Sequence, residues 1–457
     1  MNAINRRRFL RAAAAGGLAY AFGRTPQAVH AEMLAATTAF NDYRALVCIF
    51  LFGGNDSFNM VVPRSNAEYT AYSTSRQNLA VAQGDLIPIN PLSSDGAQYG
   101  FHPSMSGVAE LFEHGQLAVV ANVGPLISAT TKAQYLDKSV SLPPQLFSHN
   151  DQQDQWQSLK GRGVLKSGWA GRVSDVLAGQ TSNQLLALNA SLAGQSLLQA
   201  GDVTKPYIMG STGPVNFTGF GASGANLARR QAFEAIAGAS YGTVYERGFA
   251  QVHQRAVQFS DLVGNALAQA PALTALPNTA TPALSPLATQ LRTVAKLIAV
   301  RDTLQMSRQI FFVSAGGFDT HDDQLTDQPG LLANISGSMR AFYDATVELG
   351  VADRVTTFTE SDFGRTLTSN GDGTDHAWGG IQLVAGGAVQ GRTIYGSYPR
   401  LEINGPDDVG GGRIIPTTAA DQYIATLATW FGLSAADLPT IAPSIVNFAQ
   451  KNLGFLG

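Results

Sequence analysis

Apolar residues run unbroken from 46 to 52 and stop at Gly53-Gly54-Asn55-Asp56, the pattern of a fully buried parallel strand ending in a turn. The same grammar returns along the chain. Residues 106–114 carry helical spacing and feed a strand predicted at 117–120. A strand at 309–313 closes on Ser314-Ala315-Gly316-Gly317-Phe318-Asp319-Thr320-His321, and one at 355–358 closes on Thr359-Glu360-Ser361-Asp362. A further strand at 381–385 follows Asp375-His376-Ala377-Trp378-Gly379-Gly380. Acidic residues therefore stand where open α/β sheets hold their ligands, at the carboxyl ends of strands.

Between about 182 and 286 the texture changes. A Gly/Thr/Ser-rich tract at 210–224 leads into an Ala-rich helical stretch at 225–270, a Pro- and Thr-rich segment at 271–286 and another helix at 287–304. This span reads as a helical insertion that caps or flanks the sheet, with Arg229, Arg230 and His253 on a solvated helix face. Thr417 and Thr418 are N-cap candidates for a helix over 419–431 that stops at Gly432. The predicted fold is α/β, a doubly wound, mostly parallel sheet with helices on both faces and a helical insertion.

With 457 residues, 45% of them hydrophobic, the chain has material for a large core. Its charge argues against nucleic acid as a partner. The formal net charge is −3, and Arg6, Arg7, Arg8, Arg11 and Arg24 all fall in the first 31 residues, which hold no acid. Without that segment 25 basic residues face 33 acidic ones, which offers no general attraction to a phosphate backbone. The single Cys48 lies inside the first apolar run and reads as a core residue. It supplies neither an intramolecular disulfide nor a thiolate cluster, and with no haem-attachment pair or dinucleotide fingerprint the chain does not read as a redox protein.

Residues 5–11 read Asn-Arg-Arg-Arg-Phe-Leu-Arg, followed by a weakly apolar stretch at 12–22 and by Val29-His30-Ala31, a small-residue cleavage pattern. This is the form of a twin-arginine export signal over residues 1–31, with the export machinery as a partner and the periplasm or exterior as destination. The apolar run is about half the ~20 residues a spanning helix needs, so no stable membrane span is expected. The remaining residues, 32–457, are read as one α/β domain. Export of an already folded chain suits a protein that takes up a metal beforehand.

Divalent metals want carboxylate and imidazole ligands converging from several parts of the chain. His149, His321 and His376 lie beside acids in turns, whereas His102 falls in neither the ligand nor the helical class. Asp319 and His321 are two positions apart, which in extended backbone puts both on one face, and Asp322 and Asp323 follow as alternative ligands. Glu360, Asp362 and Arg365 close a buried strand, a pattern that also serves to cap a following helix. Ser148 opens a polar helical run, where the helix dipole favours either a nucleophile or a plain N-cap.

The order Asp56, Ser148, Asp319 with His321, Asp362 and His376 resembles the alkaline phosphatase and sulfatase superfamily. More narrowly, Phe-Gly-Gly-Asn-Asp-Ser-Phe-Asn at 52–59, Phe-Ser-His-Asn-Asp-Gln at 147–152, Gly-Gly-Phe-Asp-Thr-His at 316–321, Glu-Ser-Asp-Phe-Gly-Arg-Thr at 360–366 and Asp-His-Ala-Trp-Gly-Gly at 375–380 look like a large, uncharacterised family of twin-arginine-exported bacterial proteins within it. The likeness covers nearly the whole mature chain.

The resemblance implies an alkaline-phosphatase-like fold, Ser148 as nucleophile, and Asp56, Asp319, His321, Asp362 and His376 as metal ligands. Asn55, His149, Glu360, Arg365 and Asp375 are additional candidates. Two departures stand out. One residue separates Asp319 from His321 where the superfamily has three, and Phe363 stands where a second metal site has a histidine, leaving His149 or His102 to substitute. The implied function is an exported hydrolase of phosphate or sulfate esters, on a small-molecule or polysaccharide substrate, with one or two ions of zinc, manganese or calcium. The alternative is a non-catalytic periplasmic binding or assembly protein on the same scaffold, with one metal or none.

Overall fold

The computed structural model describes residues 40–93, 95–161, 166–180, 187–215 and 217–457. The export-signal reading of residues 1–31 lies outside the described residues. Among the described residues nine strands build the main sheet: β1 (Arg44–Leu51), β2 (Leu117–Gly124), β3 (Asn189–Ser191), β4 (Tyr207–Ile208), β5 (Arg308–Ala315), β6 (Val355–Ser361), β7 (Gly380–Ala385), β8 (Ile394–Tyr395) and β9 (Thr418–Ala419). Their order is β8-β2-β7-β6-β1-β5-β3-β4, with β9 also paired to β2. All pairings are parallel except those of β7 with β2 and β6.

The alternation of β1 shows why the sheet needs cover on both faces. Val47, Ile49 and Leu51 enter one core with the helices Ser106–Glu113, Pro286–Ala299 and Gln324–Glu348. Leu46, Cys48 and Phe50 enter a second core with the helices Trp169–Leu177 and Ala420–Phe431. The sheet is thus doubly wound, and strands buried on both faces read as unbroken apolar runs. Cys48 is buried in the second core, and burial pushes its thiol well above the ordinary value, so it stays neutral.

Several boundaries differ from expectation for local reasons. The strand beginning at Leu117 continues to Gly124 because Ala121 and Val123 are also buried. The helical stretch at 225–270 is two helices, Gly224–Ala237 and Val244–Ala268, the second started by Thr243 in a reciprocal cap with Glu246. The span expected as a helical insertion first adds β3 and β4 to the sheet edge. Thr418 belongs to β9, its hydroxyl bonded to the Ala121 carbonyl, and Ala419 is the N-cap of the last long helix. Arg230 pairs with Glu234 and Asp261 and His253 faces the Phe249 carbonyl, so both are spent within the insertion. Among the described residues no helix is long and apolar enough to cross a membrane.

Register brings the chemistry to one edge. Leu51 lies opposite both Ala315 and Ser361, so β1, β5 and β6 end together and their following loops emerge side by side. Because β7 is antiparallel to β6, the segment preceding it, Asp375 and His376, enters at that same edge.

Candidate metal centre

The first loop is shaped by two glycines. Gly53 has φ +116° and a Cβ there would lie 2.3 Å from the Asp319 backbone nitrogen; Gly54 has φ +85° and a Cβ there would lie 2.3 Å from the Phe363 ring. Only glycine permits both the positive φ and the close approach, and that approach sets the Asp319 loop against the end of β1.

Three imidazoles and one carboxylate converge there. His321 Nε2 lies 3.1 Å and His376 Nε2 3.3 Å from Asp319 Oδ1, while His149 Nε2 lies 3.3 Å from Asp319 Oδ2. His149, Asp319 and His376 offer ligand atoms all within 4.8 Å of one another, and His321 Nε2 is 2.8 Å from His376 Nε2. The group opens to solvent: the Asp319 side chain is 45% exposed, whereas Arg365, which donates to Asp319 Oδ1 at 2.9 Å, is fully buried.

The far side of each ring is also engaged. His149 Nδ1 meets Asp362 Oδ2 at 2.7 Å, His321 Nδ1 meets Asp375 Oδ1 at 3.2 Å, and His376 Nδ1 meets the Phe147 carbonyl at 2.9 Å. Carbonyl and carboxylate oxygens only accept, so each Nδ1 carries a hydrogen and each ring turns its Nε2 toward Asp319. Backing a ligand imidazole with an oxygen acceptor is how metal sites fix ring orientation and raise basicity. His149, Asp319 and His376 fit the three protein ligands of a divalent cation with an open position, and His321 Nε2 stands next to Asp319 and His376 as a further donor.

The local electrostatics agree. Burial raises the Asp319 carboxyl, but the hydrogen bond and charge of Arg365, with His149 and His321, outweigh it and hold the group below its ordinary value. Burial lowers His376, reinforced by His149 and Arg365 and opposed by the Phe147 carbonyl and Asp319. The Phe363 ring packs behind the site, 4.8 Å from His149 and 4.6 Å from His376 between ring centres.

Other expected site residues are placed differently. Asp362, expected as a ligand, instead backs His149 and also accepts from Gln153 Nε2 at 2.8 Å. Asp56, also expected as a ligand, is buried in an ion pair with Arg76, which neutralises it without a metal. Asn55 donates its backbone N–H to Ser361 Oγ at 2.8 Å, and its Oδ1 has no hydrogen-bond partner among the described residues. Glu360 points into the second core, where Trp169 Nε1 donates to it at 3.2 Å. Burial pushes its carboxyl well above the ordinary range, despite the Trp169 bond, so it is a neutral acid rather than a ligand. Ser148 is the N-cap of the helix His149–Ser158, and its hydroxyl donates to Asp151 Oδ2 at 2.7 Å. His102 is buried and accepts from the Ser104 N–H at 3.1 Å, so of the two substitutes considered it is His149 that joins the cluster. Asp322 and Asp323 are exposed beside it. Gln153, the Phe147 carbonyl and Arg76 gave no signal in the sequence, because single polar residues in helices and loops carry no periodicity.

No curated protein matches the chain. Among solved structures, the chain is similar at 9% identity to the lipoteichoic acid synthase LtaP from Listeria monocytogenes, with a TM-score of 0.36 over 91% of this chain and 80% of that one. It is similar at 9% identity to the PsFucS1 sulfatase from Pseudoalteromonas sp., with a TM-score of 0.29 over 91% of this chain and 70% of that one. A family model described as "Protein of unknown function (DUF1501)" matches residues 43–409, and the chain belongs to that family.

Proposed function

We propose that the protein is an exported metal-dependent hydrolase of phosphate or sulfate esters with one divalent cation held by His149, Asp319, His321 and His376. The observation that carries this reading is the convergence of three Nε2 atoms on a carboxylate, each ring held from behind by an oxygen acceptor. When bound, such a cation supplies Lewis acidity toward a phosphate or sulfate oxygen. Arg365 keeps Asp319 ionised and in place, and the exposed side of the cluster leaves room for a small-molecule or polysaccharide ester.

Ser148 is the nucleophile in this reading. It starts a helix, where the dipole favours developing negative charge, and its O–H already points at a carboxylate, Asp151 Oδ2, that can take its proton. Zinc, manganese and calcium are the cations to test, and the twin-arginine route is the proposed way out of the cytoplasm. The decisive comparison is hydrolysis of an aryl phosphate and an aryl sulfate by the metal-loaded protein and its Ser148→Ala variant. Loss of hydrolysis with metal content unchanged supports the assignment; hydrolysis at the wild-type rate removes Ser148 from it.

A second reading is a non-catalytic binding or assembly protein with one metal. It is favoured by Phe363 and by the Arg76–Asp56 pair, which occupy two places where the resemblance implies metal ligands. A metal-loaded protein that hydrolyses neither class of ester supports it.

A further inference from the structure

Arg365 does not hold Asp319 alone. Behind it runs a chain of hydrogen bonds with a single direction. Arg365 Nε donates to Thr374 Oγ1 at 2.9 Å, and Thr374 Oγ1 donates to Gln324 Oε1 at 2.7 Å. Gln324 Oε1 also accepts from Thr320 Oγ1 at 3.2 Å, while Gln324 Nε2 donates to Asp56 Oδ2, the oxygen that Arg76 also engages. Asp56, Arg76, Gln324, Arg365 and Thr374 are all buried, so water does not substitute for any link.

Asp56 sets the direction. Its carboxylate only accepts, so it must face the amide NH2 of Gln324; with the amide reversed, two acceptors would oppose each other and Thr374 would lose its acceptor. With Gln324 Oε1 toward Thr374, the threonine hydrogen points that way and its lone pairs remain for Arg365. The guanidinium is then locked with Nη1 on Asp319 Oδ1 and on the Gly53 carbonyl, both at 2.9 Å.

We infer that Gln324 and Thr374 are positioning residues, which carry the orientation fixed by the Asp56 carboxylate through Arg365 to Asp319 and so set the affinity and geometry of the cation site. The inference rests on the metal reading proposed above. Thr374→Val keeps the volume and deletes the hydroxyl. It should raise the zinc Kd about tenfold, the lower end of the effect of losing an outer partner at a metal site, and shift the visible absorption of the cobalt(II)-loaded protein. Thr374→Ser should restore both. Should Thr374→Val fail to fold by circular dichroism, Gln324→Met carries the same expectation.

Folded variants that bind zinc as tightly as the wild type with an unchanged cobalt spectrum overturn the inference and leave the metal reading standing. A wild-type protein that takes up neither zinc nor cobalt overturns the metal reading, and the inference with it.

Discussion

His321 and His376 face each other through their Nε2 atoms at 2.8 Å while each Nδ1 already points to an oxygen acceptor, Asp375 Oδ1 for the first and the Phe147 carbonyl for the second. Two rings so held meet through the nitrogens that their backing oxygens leave free, and one positive charge, a proton or a metal ion, is what two such nitrogens can share. Asp319 adds a further acceptor to the same space. In the metal reading proposed above these Nε2 atoms and Asp319 are the ligands, and the oxygens behind the rings orient them.

Asp362→Asn and Asp375→Asn each weaken the acceptor behind one imidazole without touching the Nε2 side. Zinc affinity should fall by about 10- to 100-fold in each. The larger loss is expected at Asp362, which is buried and closer to its ring, 2.7 Å against 3.2 Å. Competition against a chromophoric chelator measures both; equal and unchanged affinities would remove these carboxylates from the site's support.

His102 gives a pH dependence of known sign. Burial, partly opposed by Asp56, lowers it from 6.5 to about 4. As pH falls below 6.5 the unfolded chain takes up this proton before the folded one, so stability is lost between about 6.5 and 4 and levels off below. The contribution is on the order of 3 kcal/mol. His102→Asn, with chelator present, should show a flatter stability profile than the wild type over this window in urea titrations. Parallel profiles would contradict the assignment.

Phe363→Ala removes a buried ring that fills the space between Gly54, His149 and His376. A loss of about 3–5 kcal/mol in unfolding free energy is expected from the cavity, together with weaker zinc binding. A variant with wild-type stability would mean the loops close over the space.

The architecture was legible because strands buried on both faces leave continuous apolar runs, as at β1, β5 and β6, and because the acids after them mark the ligand edge. Asp319 and His321 share one turn, whereas the meeting of His376 with them was implied only by the family resemblance, since no period joins residues so far apart in the chain. The role of His149 was less legible: it starts a helix, and only tertiary packing brings a helix start to a given edge. Asp56 reads as a ligand because it follows a buried strand, but its partner Arg76 lies at the end of the helix Asn66–Arg76, where nothing in the pattern distinguishes a buried arginine from a solvated one. Gln324 and Thr374 are invisible for the same reason, since a directed hydrogen-bond chain has no sequence period. Glu360 sits among candidates yet turns the other way, because successive strand residues face opposite sides of the sheet.

The most direct test is elemental analysis of the folded, cytoplasm-purified protein beside its Asp319→Ala variant. About one equivalent of divalent metal per chain is expected in the wild type, from the donor set around Asp319, and little or none in the variant. A wild-type protein without metal after incubation with zinc, manganese and calcium in turn, or a variant that retains the full amount, would contradict it.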